Sequence, residues 1–255
     1  MKIRDCYNHL HAEEYLKTNK ATQYAEIRDC IESVNASEYL KISGDKQHLG
    51  EIYFSQKDLN TAIKQNFSKF NWFPYIDKYE VEIDNAKPIH TNNQVDFLKD
   101  LVAVEVQFGK YFSVSYDLHV KNAFYYLTNK IDVLVEIIPT KAMERHMDTG
   151  VAWFEKEIYN AKRLIGPEVD VNRYIGSDPP VPTLIIGIEA EDQVCFDLSL
   201  YEDNDIVEIL SRMKSETRDT LRSNISKALS SGNTKGLKKD RIAKIDRCLG
   251  LLGRI

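Results

Sequence analysis

Residues 94–111 read QVDFLKDLVAVEVQFGKY. Inside this stretch, residues 101–108 (LVAVEVQF) alternate in the way a strand does. Val102, Val104 and Val106 fall on one face, and Ala103, Glu105 and Gln107 on the other. Glu105 and Gln107 therefore point the same way. Asp96 stands nine residues before Glu105, where the chain is expected to turn into this strand. Two carboxylates brought together in this manner make a hard-oxygen site suited to Mg²⁺, with the carbonyl of Val106 as a third protein ligand. Phosphodiester hydrolysis calls for such a site. A bound divalent ion polarises the phosphoryl oxygen, lowers the pKa of a bound water and offsets the charge of the in-line transition state. By spacing alone the pattern is common in proteins. The competing reading has Asp96 capping a turn and Glu105 facing solvent.

Working outward, residues 79–83 alternate like a strand, residues 133–138 (VLVEII) form a strand ended by Pro139, and residues 183–188 (TLIIGI) form an apolar strand of a sheet interior. Between them, residues 117–128 read as a helix with Val120, Phe124 and Leu127 along one stripe, and residues 151–163 as another. This order predicts an α/β fold, a mixed central sheet flanked by helices. The first 70 or so residues read as mostly helical, over 12–16, 24–34 and 58–67, the last with Leu59, Ile63 and Phe67 on one face. Residues 172–182, with Gly176, Ser177, Asp178, Pro179 and Pro180, are a loop. After Leu200 the pattern is helical over 206–228 and 238–252. The predicted organisation is a catalytic domain over 1–200 and a basic helical extension over 201–255.

The composition of the 255 residues, 43% hydrophobic and 29% charged, is that of an ordinary globular protein. Cys6, Cys30, Cys195 and Cys248 lie far apart without a C-x-x-C pair, which argues against structural zinc and a disulfide framework and for a cytoplasmic setting. The opening residues MKIRD have no apolar core, so no signal peptide is expected, and no apolar run approaches a membrane span. The net charge of −5 argues against a nucleic-acid partner until its distribution is considered. Residues 212–255 hold 12 Lys/Arg against 4 Asp/Glu, a net of +8, whereas the other 211 residues hold 22 against 35, a net of −13. The basic segment reads either as a clamp on DNA phosphates or as a helical brace with a solvated face. Neither His9 with His11 nor His119 with His146 completes a metal or nucleophile arrangement, and no Gly-rich phosphate loop is present.

The pattern D-x8-E-x-[K/Q/E] formed by Asp96, Glu105 and Gln107 resembles the nuclease motif of the PD-(D/E)xK superfamily. The stretch VDF…VAVEVQFGKY is similar to that of type II restriction endonucleases of the BglII/BstYI group. The likeness continues through SYDLHVKNAFYYLTNKIDVLVEIIPTKAM, HMDTGVAWFEKEIYN and PTLIIGIEAE, and upstream through YNHLHAEEYL, GEIYFSQKDLNTAIKQNF and Trp72, over roughly residues 1–190.

The resemblance implies a restriction-endonuclease-like fold and a Mg²⁺-dependent enzyme that cuts double-stranded DNA as a homodimer. It further implies a palindromic site with a GATC centre and four-base 5′ overhangs, and a cognate DNA methyltransferase in the same system. Asp96 and Glu105 match the metal-binding carboxylates, Val106 the carbonyl ligand, and Gln107 the place where most of the superfamily has Lys. Gln cannot accept a proton at neutral pH, so it would orient the attacking water, the base being metal-held hydroxide or solvent. A further polar residue of the family falls near Tyr75, with Asp77 as the neighbouring alternative. Base or phosphate contacts fall on Lys110 and on the loop Met147, Asp148, Thr149 and Gly150, where Thr149 also suits a helix N-cap. The helix over 117–128, with Phe124, Tyr125 and Tyr126, is either the dimer element or plain core. The rival function is a DNA-binding protein on a nuclease fold that does not cleave.

Overall fold

The structure, a computed structural model, describes residues 1–45, 48–81, 89–108, 116–147, 150–158, 180–191, 194–230 and 239–255. Among the described residues there are eight strands: β1 (Lys2–His9), β2 (Leu40–Ile42), β3 (Ile52–Phe54), β4 (Phe73–Val81), β5 (Ile89–Lys99), β6 (Val102–Val106), β7 (Val133–Pro139) and β8 (Thr183–Glu189). Six of them make one sheet in the order β1-β8-β7-β6-β5-β4. The central pairs β6–β7 and β7–β8 are parallel, and the outer pairs are antiparallel. This is the mixed sheet flanked by helices that the sequence pattern predicts.

Every residue of β6 and β7 is buried. That is why VAVEV and VLVEIIP are near-continuous apolar runs: both faces of a parallel centre must be covered. On one face Ala103, Leu134, Ile138 and Ile185 join Val95, Leu118, Tyr125 and Ile131 in a single cluster. Leu118 and Tyr125 come from one helical segment, a wide π turn over Asp117–Lys121 that runs into a helix over Asn122–Leu127. This segment is the lid of that face, and it brings Asp117 and Lys121 to the sheet. Toward the sheet's other end, Phe67 stacks on Phe97 at 4.4 Å, and the indole of Trp72 donates to Glu26, which also accepts from Lys99.

Several elements differ from the sequence reading. The N-terminal region opens with β1, whose alternation is blurred because it is an edge strand with only partial burial. Strands β2 and β3, three residues each, fall below what periodicity resolves. Asp96 does not stand at the turn. It lies within β5, and the turn is at Asp100 and Leu101, both left-handed with φ of 48° and 64°. This is the backbone of a two-residue hairpin that ordinarily demands Gly or Asn. Here it is braced instead: Gln23 donates to the Asp100 carboxylate at 2.6 Å, Lys20 to the Asp100 carbonyl at 2.8 Å, and the Asp132 N–H to the Leu101 carbonyl at 2.7 Å. The helix expected over 206–228 is two, Asp203–Arg212 and Ser215–Ser230, with Met213 extended between them. Arg218 satisfies the carbonyls of Leu210 and Ser211 that the break exposes. Of the helix expected over 151–163, residues 151–153 are described and are not helical, residues 154–158 are helical, and residues 159–163, with most of the loop at 172–182, lie outside the described residues.

The chain divides into two compact units, one of Met1–Val34, Asn60–Glu144 and Gly150–Glu189 with the six-stranded sheet, the other of Asn35–Leu59, Arg145–Thr149 and Ala190–Ile255. In the second unit β2 pairs with β3, and three helices, Asp203–Arg212, Ser215–Ser230 and Lys239–Leu252, bury Ile206, Leu221, Ile225 and Ile245. Among its basic side chains, Arg247 pairs with Asp203 at 2.7 Å, Lys244 with Asp197 at 2.7 Å and Arg241 with Glu51 at 3.5 Å. Among the described residues, no helix is long and apolar enough to cross a membrane.

Gly187 in β8 shows how tightly the first unit is packed. A Cβ there would lie 2.8 Å from Cγ of Phe154, which is itself buried in the core. We expect Gly187→Ala to destabilise the protein by about 1–3 kcal/mol through overpacking, read as a lowered urea midpoint. An unchanged midpoint would show that Phe154 yields without cost.

Candidate active site

The β5–β6 hairpin pairs regularly from Lys99–Val102 to Phe97–Val104 and then opens. A backbone N–H leaving a ladder needs another acceptor. At the next position the two acidic side chains supply it, each to the opposite strand: the Asp96 N–H donates to Glu105 Oε2 at 3.3 Å, and the Val106 N–H donates to Asp96 Oδ2 at 3.1 Å. The crossed bonds hold the two carboxylates face to face across the fork. Past the fork β6 stays with β7, the Gln107 N–H donating to the Ile137 carbonyl at 2.9 Å.

The second oxygen of Glu105 turns toward the lid. Lys121 Nζ lies 2.6 Å from Glu105 Oε1 and 2.6 Å from Asp117 Oδ1. Asp117 Oδ2 accepts from the Gln107 amide at 2.6 Å. Asp117, Lys121, Glu105 and Gln107 thus form one chain of charge-assisted contacts beside Asp96. Asp96 is part-exposed, with Lys64 at 3.8 Å, so the cluster opens to solvent at its Asp96 end.

Beneath it lies a further acid. The parallel register sets Glu136 of β7 directly beside Glu105. Glu136 is 0% exposed, and neither carboxyl oxygen has a hydrogen-bond partner. A buried carboxylate without a partner is held as the neutral acid. Burial first, and then the Asp117 and Glu105 charges, push the Glu136 carboxyl well above its ordinary value. Burial likewise lifts Glu105 to about 8 despite the opposing pull of Lys121. Burial also raises Asp117, again against Lys121. For Lys121, burial works against the charge, but the Glu105 and Asp117 carboxylates outweigh it and hold the ammonium above its usual range.

The donor set fits a hard divalent cation. Asp96, Glu105 and the Val106 carbonyl offer oxygen alone, the preference of Mg²⁺. Among the described residues no three His, Cys, Asp or Glu side chains form a ligand set by themselves. A cation held by this pair would therefore complete its shell with water and phosphate oxygens, the habit of Mg²⁺.

Of the other residues singled out in the sequence, some lie outside the described residues. Tyr75 packs edge-on against Tyr125 in the core cluster, and Asp77 is ion-paired with Lys130 at 2.7 Å. Lys110, Asp148 and Thr149 lie outside the described residues. Met147 is buried, and Gly150 adopts φ 95°, a conformation that favours glycine although a Cβ there would meet nothing within 4 Å. The reading of the motif alone missed Asp117, Lys121 and Glu136. Two signals stood in the sequence: the i,i+4 pairing of Asp117 with Lys121, and one acid inside the otherwise apolar VLVEIIP.

Glu136 gives the site a stability signature. Its folded value is raised, so above the ordinary 4.5 the unfolded chain releases the proton while the native state keeps it. Stability then falls as pH rises from that value until the folded value is passed. We expect Glu136→Gln to keep the fold and to remove this slope, which approaches about 1.4 kcal/mol per pH unit at most. Urea titrations of both proteins across pH, in chelator, would test it; parallel profiles would show that Glu136 is charged in the native state.

The profile of a family described as restriction endonuclease BglII/BglIII matches residues 4–188. A search of curated proteins returned no match. Among solved structures, the chain is similar to restriction endonuclease BglII complexed with a DNA 16-mer, at 18% identity and a TM-score of 0.56, covering 76% of this chain and 81% of that one. It is also similar to free BglII, at 17% identity and a TM-score of 0.49, covering 76% and 82%. At such identity the first likeness speaks to the fold.

Proposed function

The chain belongs to the BglII/BglIII family of restriction endonucleases, and from that premise we propose that it is a Mg²⁺-dependent type II enzyme cutting both strands of duplex DNA at a short palindrome. The observation that carries the proposal is the pair of carboxylates crossed over the hairpin fork. Asp96, Glu105 and the Val106 carbonyl would hold the ion, which when bound supplies Lewis-acid polarisation and charge neutralisation at the scissile phosphate. The Gln107 amide, tethered to Asp117, presents a hydrogen-bonding head beside them and orients the attacking water. It takes no proton, which passes to solvent. Lys110 and the loop at 147–150 are the proposed contacts to bases and phosphates. The proposed site has a GATC centre and four-base 5′ overhangs, with a cognate methyltransferase protecting the host. The engagement of Arg241, Lys244 and Arg247 in ion pairs favours a brace over a phosphate clamp for the basic segment.

Digestion of unmethylated plasmid tests the reading. We expect discrete fragments with Mg²⁺ and none without it. Asp96→Ala and Glu105→Ala should each lower the rate about 10³-fold or more while DNA affinity changes little. Either variant cutting at near wild-type rate defeats the assignment. Sequencing the ends decides the centre; any centre other than GATC removes that part.

A palindrome calls for two-fold symmetry. The lid offers a surface for it: Tyr116, Val120, Phe124 and Leu127 are exposed, Leu127 to 70%, whereas Tyr125 faces the core and Tyr126 packs against it. We propose that this stripe meets its copy in a homodimer. Phe124→Asp with Leu127→Asp should convert a dimer into a monomer in sedimentation equilibrium; a variant still dimeric would move the interface elsewhere.

A further inference from the structure

We propose that the ammonium of Lys121 is a resident second cation of the acidic site, a positioning group that leaves room for one divalent ion per protomer rather than two. The inference rests on the nuclease reading above and deepens it.

Glu105 has two outward directions, and the structure assigns them differently. Oε2 belongs to the fork, facing Asp96. Oε1 faces Asp117, and the ground between those two oxygens is taken by Lys121 Nζ at 2.6 Å from each. A second divalent ion shared by Glu105 and Asp117 would need that same ground.

The lysine is also fixed in place. It is 7% exposed, on the π turn of the lid, with Asp117 four residues earlier on the same segment. Its ammonium sits at ion-pair distance from both carboxylates, 2.6 Å from each. The charge that Gln107 cannot carry is thus delivered from another element. Lys121 acts through Glu105: it keeps one oxygen engaged and the other aimed at the fork.

The test is to titrate Mn²⁺ into the metal-free full-length protein and to follow the free-ion signal by electron paramagnetic resonance. Wild type should take up one ion per protomer, and Asp96→Asn none. Lys121→Met should take up two, and Lys121→Arg one. Should Lys121→Met fail to fold, Lys121→Gln removes the charge with a polar head and reads the same way. Plasmid cleavage by Lys121→Met or Lys121→Gln should fall about 100-fold, with substantial recovery in Lys121→Arg. Two ions in wild type would overturn the proposal. So would an uncharged variant that takes up one ion and cuts within threefold of wild type. No uptake by wild type would overturn both this proposal and the metal site beneath it. A single ion in wild type with Asp96→Ala still cutting would remove the nuclease reading alone.

Discussion

The ammonium of Lys121, between Glu105 and Asp117, is the contact on which the site depends. Without it, Glu105, Asp117 and Glu136 would crowd together in the low-dielectric face of a sheet with no positive charge at contact distance. Breaking a buried ion pair by removing one partner is strongly unfavourable, whereas a complete one is close to neutral. The lid that carries Lys121 therefore does more than cover apolar surface. It brings the charge that lets the sheet keep acidic residues at its centre, and acidic residues there are what a phosphodiester chemistry requires.

The hairpin supplies the other half of the arrangement. Regular pairing would have directed the N–H groups of Asp96 and Val106 into the ladder. The opening of the strands turns them into donors for carboxylates, so the backbone itself fixes both acids in position. This orientation is rigid because it uses main-chain groups, and it costs only the local loss of two ladder bonds, each replaced by a charge-assisted one. The tight turn that closes the hairpin is maintained by neighbours, not by the turn residues' own preference.

Much of this was legible in the sequence, and the reasons for the gaps are specific. Strands β6, β7 and β8 announce themselves because a parallel centre is apolar on both faces. Glu105 and Gln107 were placed together because period-two alternation fixes which side chains share a face, and Asp96 joined them through the D-x8-E spacing that resembles a nuclease motif. The turn at Asp100–Leu101 was not, because neither residue carries the glycine or asparagine signal of such turns; the stabilising contacts from Gln23, Lys20 and Asp132 are distant in sequence. Strand β1 was hidden by its partial burial. Glu136 passed without a role inside the strand at 133–138, since the register that sets it beside Glu105 is a tertiary fact. The i,i+4 spacing of Lys121 to Asp117 stood in the sequence, but its reach to Glu105 did not: only the packing of the lid on the sheet brings it there.

The parallel register of β6 and β7 bears on the order in which the molecule assembles. Asp96 and Glu105 stand on the two arms of one hairpin, so their meeting is local in sequence. Glu136 reaches Glu105 only after the chain has crossed over through the lid segment, because parallel neighbours need a long connection. The crossover is the very segment that bears Lys121. Dehydration of the acids and arrival of their counter-charge are therefore one step, and no folding intermediate has to bury the anions before the cation that accompanies them.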